Sequence, residues 1–345
     1  MRIAQARVVP YCLPLKRPWI AAAATLTERR GALLHLTAED GCAGWGDCAP
    51  LPSGGNAEAV LSSLADCCCR PASADFQKLP SEVRWAIETA EADIAAQNQG
   101  VPLARMLDAD APLDIAINAA LGPLDAGAAV RAKEALGQGY AIGKLKVGIG
   151  LPDTELARLH EVIDATQGRL RLRLDANRAW TQSAAERFLA AIADLPIDAV
   201  EEPLAMPTPD KLAALQVALP YAIAIDESLL QFGTEALSAL LAVRAVRRFV
   251  LKPARLGGIA ATRAIAAKAQ AAGIEVVLTS VVDSAIGVTA AAHLAAAISP
   301  ALAHGLGTSA WLAADVATPP RIVAGRLLLP AAPGLGVAPV SGDLD

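Results

Sequence analysis

The chain has 345 residues, of which 54% are hydrophobic, 19% charged and only 3% aromatic, so it can bury a large aliphatic core and is excluded from the disordered class. At roughly 150 residues per domain that length gives about two domains, or one large barrel with a smaller companion. Lys and Arg number 30 against 35 Asp and Glu, a formal charge of −5 with no basic block, which argues against a nucleic-acid partner.

Taken in chain order, residues 1–25 do not read as a signal peptide, because Pro10, Pro14, Lys16 and Arg17 interrupt any apolar core, and a cytoplasmic location is expected. Residues 3–13 and 30–36 have the pattern of strands, and 41–47 closes a hairpin through glycine turns. Residues 57–69 and 81–97 look helical. Residues 1–112 are therefore expected to form an α+β domain. Its six cysteines are Cys12, Cys42, Cys48, Cys67, Cys68 and Cys69. Three in a row fit neither a disulfide framework nor a zinc template, so they read as reduced, small hydrophobes.

From residue 113 onward, short β-like runs alternate with Ala/Leu-rich helical stretches. The runs cover 113–121, 141–147, 170–174, 198–202, 221–225, 248–252, 274–280 and 302–306. Eight strands alternating with helices over about 220 residues predict an α/β fold, a (β/α)8 TIM-type barrel over 113–324 behind an N-terminal α+β capping domain. A doubly wound sheet is the rival, but no G-x-G-x-x-G opens a helix, and six of the runs end in a charged or hydroxyl residue, as barrel active sites require. The most apolar stretch, 286–303, is largely alanine and contains Thr289, His293, Ser299 and Pro300, which suits a packed helix rather than a membrane span. Residues 325–340 carry Gly and Pro punctuation around a short apolar run and are expected to return to the first domain as a strand, so that about 325–345 completes it.

Three acids end successive strands: Asp175 in RLRLDAN, Glu201 in AVEEP and Asp226 in AIDES, spaced by 26 and then 25 residues, about one βα unit each. That places three carboxylates at one barrel mouth, an oxygen-rich site suited to Mg²⁺, with Mn²⁺ as a substitute. The competing explanation is helix capping by strand-end acids. Lys144 and Lys146 flank Leu145 at the end of the second run, so alternation turns both the same way. Lys252 ends the sixth run, across the ring. Lysines around a carboxylate-bound metal are suited to removing a proton next to a carboxylate: one takes the proton, and the other acts on the opposite face as an acid/base or a stabilising cation. The expected partner is thus a small-molecule carboxylate, with no nucleic acid and no membrane; oligomeric state is open.

In barrel order the motifs K-x-K, D-A-N, E-E-P, D-E-S and K-x-x-x-x-G-G, behind a capping domain, resemble the enolase superfamily over nearly the whole chain. K-x-K with a later lysine places the resemblance in the muconate-lactonizing-enzyme subgroup. It implies Asp175, Glu201 and Asp226 as Mg²⁺ ligands, Lys146 as the base and Lys252 on the other face. Within the subgroup, GWGDCAPLP (44–52), RLRLDANRAW (171–180), TSVVDSAIG (279–287) and AHGLGTSAWLAADV (303–316) resemble the o-succinylbenzoate synthases, lyases of menaquinone or phylloquinone biosynthesis. Dipeptide epimerases usually carry D-x-D at the eighth strand, where Gly305 and Gly307 stand here. Asp283 departs from the synthase pattern, which commonly has glutamate. Lys144, Arg173, Ser280, Asp283 and Gly305 are the expected substrate-binding residues; for Arg173 an ion pair is the equal alternative. The resemblance implies dehydration of 2-succinyl-6-hydroxy-2,4-cyclohexadiene-1-carboxylate, with loops around 18–25 and 51–56 closing over the succinyl arm. The alternatives are a dipeptide epimerase, an N-succinylamino acid racemase or cycloisomerase, and, more remotely, a non-catalytic binding scaffold.

Overall fold

The structure, a computed structural model, describes residues 1–20, 25–51, 57–69 and 75–340. Most of the two loops expected to close over the substrate, 21–24 and 52–56, lies outside the described residues. The chain opens with an antiparallel sheet of β1 (Ile3–Ile20), β2 (Thr25–Ala38) and β3 (Ala43–Cys48) in that order. Helices α1 (Ala57–Cys69), α2 (Ser81–Asn98) and α3 (Leu103–Leu107) follow. Leu34, Leu36, Val83, Ala86, Ala90 and Ile94 form a core between this sheet and α2. Gly44 and Gly46 allow the close approach: a Cβ on Gly46 would stand 1.9 Å from the Ala86 carbonyl oxygen.

Then come β4 (Asp114–Ala116), β5 (Ala119–Pro123), α4 (Ala128–Gly137), β6 (Ile142–Lys146), α5 (Pro152–Thr166), β7 (Arg171–Asp175), α6 (Gln182–Ala191), β8 (Ile197–Glu201), α7 (Pro209–Val217), β9 (Ala222–Ile225), α8 (Glu227–Gln231), α9 (Thr234–Ala242), β10 (Arg248–Leu251), α10 (Pro253–Leu256), α11 (Ile259–Ala271), β11 (Glu275–Leu278) and α12 (Ala285–Ile298). Strands β5 to β11 form one parallel sheet in sequence order. Strands β8, β9 and β10 are buried at every residue, as a sheet covered on both faces requires. The helices start where local chemistry favours it: Thr181, Thr208 and Ser284 accept a bond from the first turn of α6, α7 and α12, and Pro152, Pro209 and Pro253 open α5, α7 and α10.

Two expectations are corrected. The run 302–306 is not a ladder strand but two bridge residues: His304 pairs with Ile117 and Gly305 with Thr279. These still close the barrel, because the His304 and Gly305 N–H groups donate to Ala116 and Leu278 on opposite sides. The C-terminal segment returns to the first domain, but as far as residue 340 not as a strand of its sheet; residues 341–345 lie outside the described residues. β12 (Arg321–Val323) and β13 (Arg326–Leu328) pair with β4, and the chain then lies along α2 and α3, where Gly334 exchanges bonds with Val101 and Leu103 and the Leu335 N–H donates to Asp93. Among the described residues no helix is long and apolar enough to cross a membrane.

Candidate active site

Strand β6 alternates, with Gly143 and Leu145 buried and Lys144 and Lys146 half-buried on the other side. Lys144 Nζ donates to both Glu201 oxygens at 2.8 Å and lies 3.0 Å from Asp175 Oδ2. Burial alone would lower its pKa, but Asp175 and Glu201 hold it well above the ordinary value. The registers explain the meeting: Lys146 pairs with Asp175, and Asp175 with Glu201, at the ends of β6, β7 and β8. Lys252, just past β10, is paired with Asp226, just past β9.

Lys146 differs from the other two lysines. Its ammonium donates to the neutral Asn177 Oδ1 at 2.7 Å, and burial, reinforced by Lys144, pushes its pKa down against the pull of Asp175. Asn177 occupies the left-handed region at φ 43°, which asparagine tolerates, and its N–H donates to Asp175 Oδ1 at 3.1 Å. The D-A-N motif thus aims a carboxylate and an amide at the same place.

The carboxylates respond to burial and to each other. Glu201 is pushed up to about 7 by burial, with Lys144 opposing and Asp175 and Asp226 adding to the rise. Burial raises Asp226 against Lys252, whereas Lys144 and Lys146 hold Asp175 low in spite of burial.

The adjacent Glu202 plays a part that sequence reading missed. Its carboxylate accepts from the Asp226 N–H (2.7 Å), the Ser228 N–H (2.8 Å) and Ser228 Oγ (2.5 Å), fixing the turn that carries Asp226. The second Glu of E-E-P and the Ser of D-E-S were the available signal.

For Arg173 the ion-pair alternative holds, and its expected place among the substrate-binding residues is corrected. It lies two residues before Asp175 on the same face of β7, one layer deeper, and is 2% exposed. Its guanidinium is committed to Asp198 Oδ2 (3.1 and 2.9 Å), Asn118 Oδ1 (3.2 Å) and the Ala303 carbonyl (3.2 Å). Arg248 completes this layer by donating to the same Asp198 oxygen and to Glu275. Arg173 has no donor left for a substrate carboxylate at the mouth.

At the seventh and eighth positions, Ser280 Oγ and Thr308 Oγ1 are 2.6 Å apart and both buried. A Cβ on Gly305 would stand 2.8 Å from Thr279 Cγ2, so this point of the wall has no room for a side chain without a shift. His304 is internal: Nδ1 accepts from the Leu278 N–H, Nε2 meets the Ser299 carbonyl, and burial lowers its pKa to about 4. Asp283 lies where the cap meets the barrel, 3.9 Å from Arg29 of β2.

Among the described residues no three acid, imidazole or thiol groups converge at the spacing of a metal site as they stand; the Lys144 ammonium lies between Asp175 and Glu201. The donor chemistry nevertheless fits a hard cation. Three buried carboxylates are hydrogen-bonded by two ammonium groups, and the strain shows at Glu201, whose proton affinity is raised. A divalent ion among these oxygens would supply the missing charge.

The comparisons with known proteins agree with this geometry. Residues 127–342 match the family model described as enolase C-terminal domain-like. The chain belongs to the enolase superfamily, in its muconate-lactonizing-enzyme subgroup. It is 28% identical to the L-Ala-D/L-Glu epimerase of Bacillus subtilis over 98% of this chain and 97% of that one. It is 30% identical to the o-succinylbenzoate synthase of Klebsiella pneumoniae over 92% and 94%. Among solved structures, the dipeptide epimerase from Methylococcus capsulatus, complexed with Mg and the dipeptide L-Arg-D-Lys, superposes with a TM-score of 0.87 at 29% identity over 98% of this chain and 100% of that one. The fold is accordingly a TIM-type barrel with a capping domain, and the chain is an enolase-superfamily enzyme.

Proposed function

We propose that the chain is an o-succinylbenzoate synthase, dehydrating 2-succinyl-6-hydroxy-2,4-cyclohexadiene-1-carboxylate. One observation carries this choice over its relatives. The wall formed by residues 303–311, AHGLGTSAW, has no carboxylate, and Gly305 and Gly307 present no side chain. A substrate ammonium brought there would be left unpaired at a cost of several kcal/mol. A dicarboxylate meets instead a mouth containing Lys144, Lys146 and Lys252.

On this reading Asp175, Glu201 and Asp226 hold Mg²⁺, or Mn²⁺ in its place, which when bound supplies positive charge to the substrate carboxylate as its α-carbon becomes electron-rich. Lys146, bonded to a neutral amide rather than a carboxylate, takes the α-proton. Asn177 orients its amine. Lys144, anchored by Asp175 and Glu201, holds a fixed positive charge beside the reacting carboxylate, and Lys252 does the same from the sixth strand. Elimination needs one base only: the proton taken by Lys146 is returned to the departing hydroxyl as its C–O bond breaks, and loss of water completes an aromatic ring.

A second reading has its own support. The Bacillus epimerase matches over almost the full length of both chains, and a base on the second strand with a cation on the sixth would equally serve inversion at an α-carbon. Incubation with the cyclohexadiene substrate and Mg²⁺, followed by absorbance of the aromatic product, separates the two. Product formation by wild type and its loss in Lys146→Ala are expected. No aromatic product, with α-deuterium gained by L-Ala-L-Glu in D2O, would make the chain an epimerase.

A further inference from the structure

The segment after β11 carries a carboxyl group that the chemistry above leaves unused. Asp283 is 5% exposed. Its Oδ2 accepts one long bond, 3.4 Å from the Val281 N–H, and its Oδ1 has no hydrogen-bond partner. The nearest cation, Arg29, is already directed at the main-chain carbonyls of Ala49, Pro50, Val281 and Val282. On the cap side stands a second carboxylate, Asp47 of β3, which accepts from Tyr11 (2.7 Å), the Ser284 N–H (3.1 Å) and Ser284 Oγ (2.8 Å). Asp315 binds the Ala285 N–H at the same end of α12, and Lys252 acts on Asp283 from the barrel mouth.

A buried carboxylate oxygen with no donor, facing another carboxylate, is costly when ionised. Protonated, the group becomes a donor and the cost disappears. Burial first, then Asp47, with Arg29 opposing, raises its pKa to about 7. A second negative group arriving from solvent would raise it further.

We propose that Asp283 is a specificity-determining residue that donates an O–H hydrogen bond to the substrate carboxylate remote from Asp175, Glu201 and Asp226, taking up its proton from solvent as the substrate binds. This rests on reading the substrate as a dicarboxylate. It gives the mouth a selection rule: an anionic arm is met by a neutral acid, whereas a cationic arm would need the same group ionised.

The test is calorimetric titration of the Mg²⁺-loaded enzyme with o-succinylbenzoate near pH 8 in two buffers of different protonation enthalpy. Wild type is expected to take up close to one proton, and its affinity to fall by about tenfold per pH unit above the titration of the free group. Asp283→Asn, of the same size, should take up none and should lose that pH dependence; Asp283→Ser serves if the first variant does not fold. A wild-type complex formed without proton uptake, or uptake unchanged in the variants, overturns the proposal. If o-succinylbenzoate does not bind, the functional reading fails separately, and the same proton count with an N-succinyl amino acid decides the role of Asp283. Binding of neither dicarboxylate overturns both.

Discussion

The barrel interior holds two charged layers built from the same strands, and they solve opposite problems. In the lower layer Arg173 and Arg248 share Asp198, with Asn118, Ala303 and Glu275 taking the remaining donors. In the upper layer Lys144 serves Asp175 and Glu201, Lys252 serves Asp226, and Lys146 is left to an amide. The lower layer is closed and satisfied. In the upper layer Glu201 is left wanting positive charge, and one amine is kept free of carboxylates. Two residues along β7 separate Arg173, which ties the barrel together, from Asp175, which serves chemistry. Charge in a barrel interior therefore says nothing about function until its partners are counted.

That contrast can be broken from either side. The largest effect is expected for Lys146→Ala, which should reduce kcat by about 10²–10⁴-fold, the usual contribution of a general base, while the denaturation midpoint stays put. Steady-state kinetics and urea unfolding on one preparation check both halves. Arg173→Met should do the reverse, costing about 3–5 kcal/mol of stability because it removes one partner from a buried ion network. A variant that unfolds like wild type would show that the lower layer is not structural.

The two buried histidines give folding stability a pH signature of its own. His293 bonds the Ala104 N–H and the Leu335 carbonyl, and burial lowers both His293 and His304 from 6.5 to about 4. Between those values the unfolded chain binds more protons than the folded one. Stability should thus be fully present above pH 6.5 and fall as pH drops toward 4, by roughly 3 kcal/mol per histidine at most. Urea midpoints across that window measure it; a flat profile would contradict it. Ser228→Ala is the mildest change. Removing one of three bonds to Glu202 loosens the turn that carries Asp226, and metal affinity should fall by about tenfold, with little change in folding stability.

Much of this was legible in sequence because it is local. The K-x-K alternation, the strand-end acids and the helix starts depend on neighbours a few residues away. What escaped depends on partners far along the chain. Arg173 was readable as a charged strand residue, but its partners stand at 118, 198 and 303. Glu202 acts on residues 226 and 228, and Arg29 reaches residues 281 and 282 from the cap. The eighth strand is reduced to two bridge residues, His304 and Gly305, whose partners Ile117 and Thr279 lie just past the ends of different strands. β13 pairs with β4, about 210 residues earlier in the chain, which no local pattern announces.

The layer contrast comes down to which carboxylates take a metal. Mn²⁺ binding followed by electron paramagnetic resonance, on wild type, Glu201→Gln and Arg173→Met, addresses it without relying on turnover. One tightly held ion in wild type and in folded Arg173→Met, with binding lost in Glu201→Gln, is the expected result. Retention of the ion in Glu201→Gln, or no bound ion in wild type, would contradict the assignment of the upper layer as the metal site.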